Sequence, residues 1–119
     1  MRNPIIAGLG AIALLATAAA AAAHGKVLST TPASGETGGS PAELRLVLSE
    51  AIFPKFSGIV LKDQAGHVVK TGAAGVDPTK KQLFVPLKVR LAPGAYTVEW
   101  HVVCADTHRM QGRYGFVVK

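Results

Sequence analysis

His24 directly follows Ala21-Ala22-Ala23, and that placement gives it chemistry that no internal histidine has. A small-residue Ala-x-Ala stretch after an apolar run is where export peptidases cut. A cut after Ala23 makes His24 the first residue of the mature chain. Its free α-amine and its imidazole Nδ1 then close one compact chelate ring on a metal. An α-amine titrates near roughly pH 8, so a metal displaces its proton close to neutrality. The second group of interest is Cys104-Ala105-Asp106-Thr107-His108, just after the longest predicted strand. In extended chain alternate side chains share a side, which sets Asp106 and His108 roughly 7 Å apart along the backbone. A carboxylate and an imidazole there converge on one ion beyond the strand end. With the His24 pair they make three nitrogens and one oxygen. Four such donors suit tetragonal Cu(II), and the affinity order places copper above zinc and nickel. A set without sulfur favours Cu(II) over Cu(I), one ion per chain.

Asp-x-His alone is a weak signal, common in turns and surface pairs; the N-terminal histidine strengthens it. The other candidates read as structural. His101 falls on the polar face of its strand, and His67 sits in a hairpin. Cys104 reads as a small buried apolar residue. Met110 is a single thioether without companions.

The elements that must position these groups are strands. Arg2 and the uncharged run from Ile5 to Ala20 have the layout of a signal peptide, 1–23. An uncleaved anchor is the alternative, since the run approaches spanning length; its alanine-rich second half suits a cleavage region better. Residues 24–119 then form one small exported mature domain with no membrane-spanning run. No helical periodicity appears in it. Lys26 to Ser29 reads as a first strand, and Glu43 to Leu48 alternates with Leu44, Leu46 and Leu48 on one face. Gly58 to Lys62 and His67 to Val69 form a hairpin about Asp63-Gln64-Ala65-Gly66, a type I turn pattern. Gln82 to Val85 follows a turn at Asp77-Pro78-Thr79-Lys80. Ala95 to Val103 puts Tyr96, Val98, Trp100 and Val102 on one face, and Thr97, Glu99 and His101 on the other. Tyr114 to Val118 closes the chain. About seven strands at these spacings predict an all-β, immunoglobulin-like sandwich.

The net charge of +6 falls to +5 once Arg2 is removed. Lysines and arginines are scattered, with no run longer than Lys80-Lys81 and few aromatics between them. That is a solvated basic surface rather than a nucleic-acid site. Cys104 is the chain's one cysteine, so packing, not an intrachain disulfide, must hold the fold.

These residues resemble the CopC-type periplasmic copper-binding proteins of copper resistance. The matching pieces are His24 at the mature N-terminus, Ser29-Thr30-Thr31-Pro32-Ala33-Ser34-Gly35, Leu44-Arg45-Leu46-Val47-Leu48-Ser49-Glu50 and Phe56-Ser57-Gly58. They continue with Leu91 through Trp100, and Ala105-Asp106-Thr107-His108 with Gly112 and Phe116. The resemblance implies a Greek-key β-sandwich or barrel and a Cu(II) site on His24, Asp106 and His108. It also implies a monomeric carrier or buffer in copper resistance, homeostasis or uptake, handing copper to a CopD-like inner-membrane protein. Two departures stand out. Some members carry a Met-rich loop that binds Cu(I), whereas Leu61 to Val68 here has no methionine. Cys104 stands where the family pattern usually has serine.

A histidine-brace oxidase is the alternative, because an N-terminal histidine plus a second histidine on a β-sandwich also resembles copper polysaccharide monooxygenases. Asp106 in an equatorial position leaves less room for O₂, and the aromatic candidates for a substrate face are only Trp100, Tyr96 and Tyr114. A plain structural or adhesion sandwich with an incidental His24 is the third reading.

Overall fold

The computed structural model describes residues 25–119. The expected leader, 1–23, and His24 lie outside the described residues. The elements are β1 (Val27–Thr31), β2 (Thr37–Gly38), β3 (Glu43–Leu48), a 3₁₀ turn at Pro54–Phe56, β4 (Gly58–Lys62), β5 (Val68–Val69), β6 (Gly75–Val76), β7 (Gln82–Pro86), β8 (Gly94–Val103) and β9 (Arg109–Val118). They build two sheets, ordered β1-β3-β7-β6 and β2-β9-β8-β4-β5. The expected immunoglobulin-like sandwich forms from two open sheets and does not close into a barrel. Beyond the seven expected strands are two-residue pairings such as β2 and β6, too short to carry an alternation of their own. No helix among the described residues is long and apolar enough to cross a membrane.

Alternation decides which face goes inward. Leu44, Leu46 and Leu48 of β3 are all 2 % exposed or less. Between them, Arg45 faces outward, its guanidinium 4.4 Å over the ring of its cross-strand neighbour Phe84. From the other sheet, Ile59 and Leu61 of β4, Tyr96, Val98 and Val102 of β8, and Phe116 and Val118 of β9 meet that face. The Tyr96 hydroxyl donates to the Ala92 carbonyl at 2.7 Å, a tyrosine corner that pins the chain where it enters β8. Its ring stacks on Phe116.

β9 starts at Arg109, five residues before the expected Tyr114. Its outer positions are polar (Arg109, Gln111, Arg113) and position 112 is glycine, so the segment looks like a loop. Pairing with β8 over ten residues, from Gly94↔Val118 to Val103↔Arg109, makes it strand. The glycine has a packing reason. Trp100 is opposite Gly112, and a Cβ on Gly112 would lie 2.6 Å from the indole. The ring covers the bare backbone and packs partly buried against the core rather than within it.

Aspartates organise two of the turns. The Asp63 carboxylate accepts the amides of Ala65 and His67, and Gly66 adopts φ +85°, as the turn pattern requires. Asp77 organises the other turn. Its carboxyl is pulled below the usual value foremost by the Thr79 hydroxyl, against some desolvation, with help from the amides of Gln82, Thr79 and Lys81. That turn docks on the chain after β3: Leu48 N–H donates to the Lys81 carbonyl at 2.8 Å and Ile52 N–H to the Lys80 carbonyl at 2.9 Å.

Candidate metal centre

The β8–β9 hairpin closes over Ala105, Asp106 and Thr107. Cys104 N–H donates to the His108 carbonyl at 2.8 Å, and Thr107 N–H donates to the Cys104 carbonyl at 2.8 Å. Thr107 has φ 70°. This is a three-residue loop built on a type I turn with a left-handed third residue. The extended backbone expected from Asp106 to His108 therefore does not form. Two ten-residue strands pair antiparallel immediately before and after, so the chain must reverse here. The turn still brings the two residues together: Asp106 Oδ1 accepts the His108 backbone N–H at 2.9 Å. Both are exposed at the tip.

A second segment packs against the base of this hairpin. Ile52 bridges Cys104 antiparallel. Phe53 N–H donates to the Val103 carbonyl at 2.8 Å, and Ala105 N–H to the Ala51 carbonyl at 2.9 Å. These bonds deliver Glu50 to the site. A Glu50 carboxylate oxygen, an Asp106 carboxylate oxygen and the Cys104 sulfur lie within 4.8 Å of one another. Cys104 is 1 % exposed. Burial, and then the nearby Asp106 and Glu50 charges, push its thiol pKa up, because each disfavours the thiolate.

The third segment is the start of the described chain. Lys26 N–H donates to Ser49 Oγ at 2.9 Å, and Ser49 N–H returns to the Lys26 carbonyl at 2.9 Å. Ahead of this clasp, Gly25 is buried. A Cβ on Gly25 would lie 3.3 Å from both Cys104 Sγ and Glu50 Oε2. The residue that follows His24 thus packs directly on the acidic–thiol cluster.

The CopC domain model matches residues 27–119. The chain belongs to the CopC family. It is 37% identical over 99 residues to the protein YobA of Escherichia coli K12, spanning 82% of this chain and 80% of that one. It is 35% identical over 108 residues to copper resistance protein C of Pseudomonas syringae pv. tomato, spanning 85% of each. The crystal structure of CopC from Methylosinus trichosporium OB3b superposes with a TM-score of 0.74 at 28% identity, covering 81% of this chain and 94% of that one.

In this CopC chain, Asp106 and His108 are joined through the His108 backbone N–H, and the group of close donor atoms among the described residues is Glu50, Cys104 and Asp106. Glu50 was not anticipated as a site residue. It sits just past the end of β3 with no spacing motif to flag it, and only the Ile52–Cys104 bridge brings it in. His101 is on the outer sheet face as expected, its ring packed over Gly58. The His67 side chain is 81% exposed, with Nδ1 3.8 Å from Asp63 Oδ2. Met110 packs partly buried against the core. Cys104 is buried as expected, but it lies in the cluster rather than in a purely apolar setting. The aromatic side chains open to solvent at this end are not the three considered from sequence. They are Phe53 and Phe56, 40% and 58% exposed, in and beside the 3₁₀ turn. A shallow depression of about 450 Å³ lined by Val60, Glu99, His101, Gln111 and Arg113 lies on the outer face of the five-stranded sheet. Its Glu99 pairs with Lys62 at 3.0 Å, and it is separate from the 104–108 tip.

Proposed function

We propose that this protein is exported to the periplasm, cleaved after Ala23, and binds one Cu(II) through His24, Asp106 and His108. It serves there as a non-catalytic copper carrier or buffer in resistance, homeostasis or uptake, with a CopD-like inner-membrane protein as recipient. The observation that carries the reading is Gly25. Its packing on Glu50 and Cys104, beside the hairpin that bears Asp106 and His108, supports a chain start at this site. An amine, two imidazoles and carboxylate oxygen form the donor set that suits tetragonal Cu(II). The relatives named copper resistance protein C support copper as the cargo. The carboxylates of Glu50 and Asp106 at one cluster support a carrier over an oxidase, since carboxylates holding the ion would leave it less room for O₂.

The test is spin resonance on the mature protein with one equivalent of Cu(II), beside a variant that retains one alanine before His24. The mature protein is expected to give an axial, nitrogen-rich signal. The extended variant moves the amine out of the chelate ring and is expected to bind at least about a hundredfold more weakly, roughly 2.8 kcal/mol. Equal affinity in the two would sink the N-terminal site. Sustained peroxide production by the copper-loaded protein, faster than free copper under the same reductant, would favour the oxidase reading instead.

A further inference from the structure

The copper reading leaves one feature of this end of the sandwich unused. Phe53 and Phe56, 40% and 58% exposed, flank Pro54 and Lys55, which are also open to solvent. The turn that carries them has a fixed backbone. Phe53 N–H donates to the Val103 carbonyl at 2.8 Å, and Phe56 N–H to the Phe53 carbonyl at 3.1 Å. The Ser57 hydroxyl donates to the Phe53 carbonyl at 2.9 Å and accepts the Val103 N–H at 3.1 Å.

The charge around the turn is mainly positive. Lys26 lies where the chain enters β1, and Lys55 lies between the two phenylalanines. Lys80 and Lys81 are in the turn bonded to Ile52 and Leu48, and Arg109 begins β9. The pairings Val27↔Leu48, Val47↔Gln82 and Val103↔Arg109 set these groups at one end of the two sheets. All five cations are exposed, and none forms an ion pair with another described residue. The carboxylates at this end are Glu50, Asp77 and Asp106. Asp77 is taken up by the amides of its own turn, and Glu50 and Asp106 lie with Cys104. The chain also enters the domain here, with Gly25 five residues after the apolar run that ends at Ala20. A bilayer that takes up that run meets this end of the domain first.

Exposed aromatic rings among cations suit a surface with an apolar layer beneath anionic phosphates. The rings leave water at the headgroup boundary, while lysine stems keep their ammonium groups at phosphate level. A protein partner fits less well. A standard interface buries about 800 Å² per side, and lysine is depleted from its core, whereas here Lys55 separates the two rings. We propose that this end of the sandwich docks on an anionic phospholipid bilayer, with Phe53 and Phe56 entering the interface and the five cations facing the phosphates. The inference goes beyond the copper reading and needs no metal, so either can fail without the other.

The experiment uses residues 24–119, which contain the whole described core, because the apolar leader would enter lipid by itself. Metal-free protein is sedimented with vesicles of phosphatidylethanolamine and phosphatidylglycerol, and with vesicles of phosphatidylcholine. The salt is about 0.1 M, where charges facing away from the surface are screened. Binding to the anionic vesicles is expected to be at least about tenfold tighter than to the neutral ones, since each surface cation is worth roughly fivefold. Phe53→Ser and Phe56→Ser are each expected to weaken it at least about fivefold, through lost apolar burial. Lys55→Glu is expected to weaken it by at least about as much. Lys88→Glu combined with Arg90→Glu, beside the exposed Val89 at the opposite end, is expected to bind like the wild type. Absence of wild-type binding overturns the inference, and that measurement needs no variant. Binding that survives both phenylalanine substitutions overturns it too. So does an equal loss in Lys55→Glu and in the opposite-end variant, which would mean adsorption by general basic charge. A dimer that Phe56→Ser dissociates, without vesicle binding, would assign the rings to a second copy of the chain instead.

Discussion

Gly25 connects the N-terminal reading to the described structure. A side chain at this position must press on both the Cys104 sulfur and the Glu50 carboxylate, with its Cβ 3.3 Å from each. Such a contact is tighter than van der Waals packing at about 3.5–4.0 Å allows, so one neighbour has to give way. Gly25→Ala is therefore expected to leave the strands intact while displacing the cluster and, with the proposed cleavage after Ala23, the His24 amine that the mature chain would carry. Cu(II) affinity should fall about tenfold, roughly 1.4 kcal/mol, with thermal unfolding of the metal-free protein nearly unchanged. A titration giving the wild-type affinity would show that this contact does not position the site.

At the scale of elements, the β8–β9 hairpin does most of the positioning. Its long ladder sets where the turn falls, and the turn sets Asp106 against His108. Of the glycines in that ladder, Gly112 is the most closely covered, by Trp100. A methyl at 112 would meet the indole at 2.6 Å, and the indole is partly buried against the core, so it cannot simply swing into solvent without uncovering apolar surface. Gly112→Ala is expected to destabilise the fold by about 1–3 kcal/mol, the usual cost of overpacking. Denaturant unfolding read by Trp100 fluorescence checks this. An unchanged midpoint and unchanged emission would mean that the ring is free to move.

For the whole molecule, the Tyr96 corner and the proposed metal centre lie at opposite ends of β8. The Tyr96 corner and its stack on Phe116 lie at the start of β8, eight residues and roughly 26 Å of strand from Cys104. Tyr96→Phe removes the bond to the Ala92 carbonyl, 2.7 Å in the structure, and leaves that exposed acceptor to water. The expected loss is about 0.5–1.5 kcal/mol of unfolding free energy, with the Cu(II) resonance spectrum and affinity as in the wild type. A changed spectrum would mean that the two ends are coupled through β8, against the rigid-scaffold picture.

Much of this molecule is a local property of its chain. The period-two alternation of Glu43 to Leu48 and of Ala95 to Val103, with Gly, Pro and Asp between the runs, was enough to specify strands, faces and an all-β sandwich, because facing in or out depends only on neighbouring residues. The motif Asp106-Thr107-His108 and the place of His24 after Ala23 likewise stood in the sequence as a candidate donor set. What only the tertiary structure decided is which distant segments meet. The reversal at Thr107, the full length of β9, the arrival of Glu50 beside Cys104 and the packing of Gly25 on both all depend on sheet order and cross-strand bonds. The contacts of Gly25 and Glu50 join residues some 25 to 80 positions apart, and no periodicity within one segment encodes the register of another. Cys104 shows the difference most clearly: its burial was legible from its type, while its two carboxylate neighbours came from chain folding back on itself.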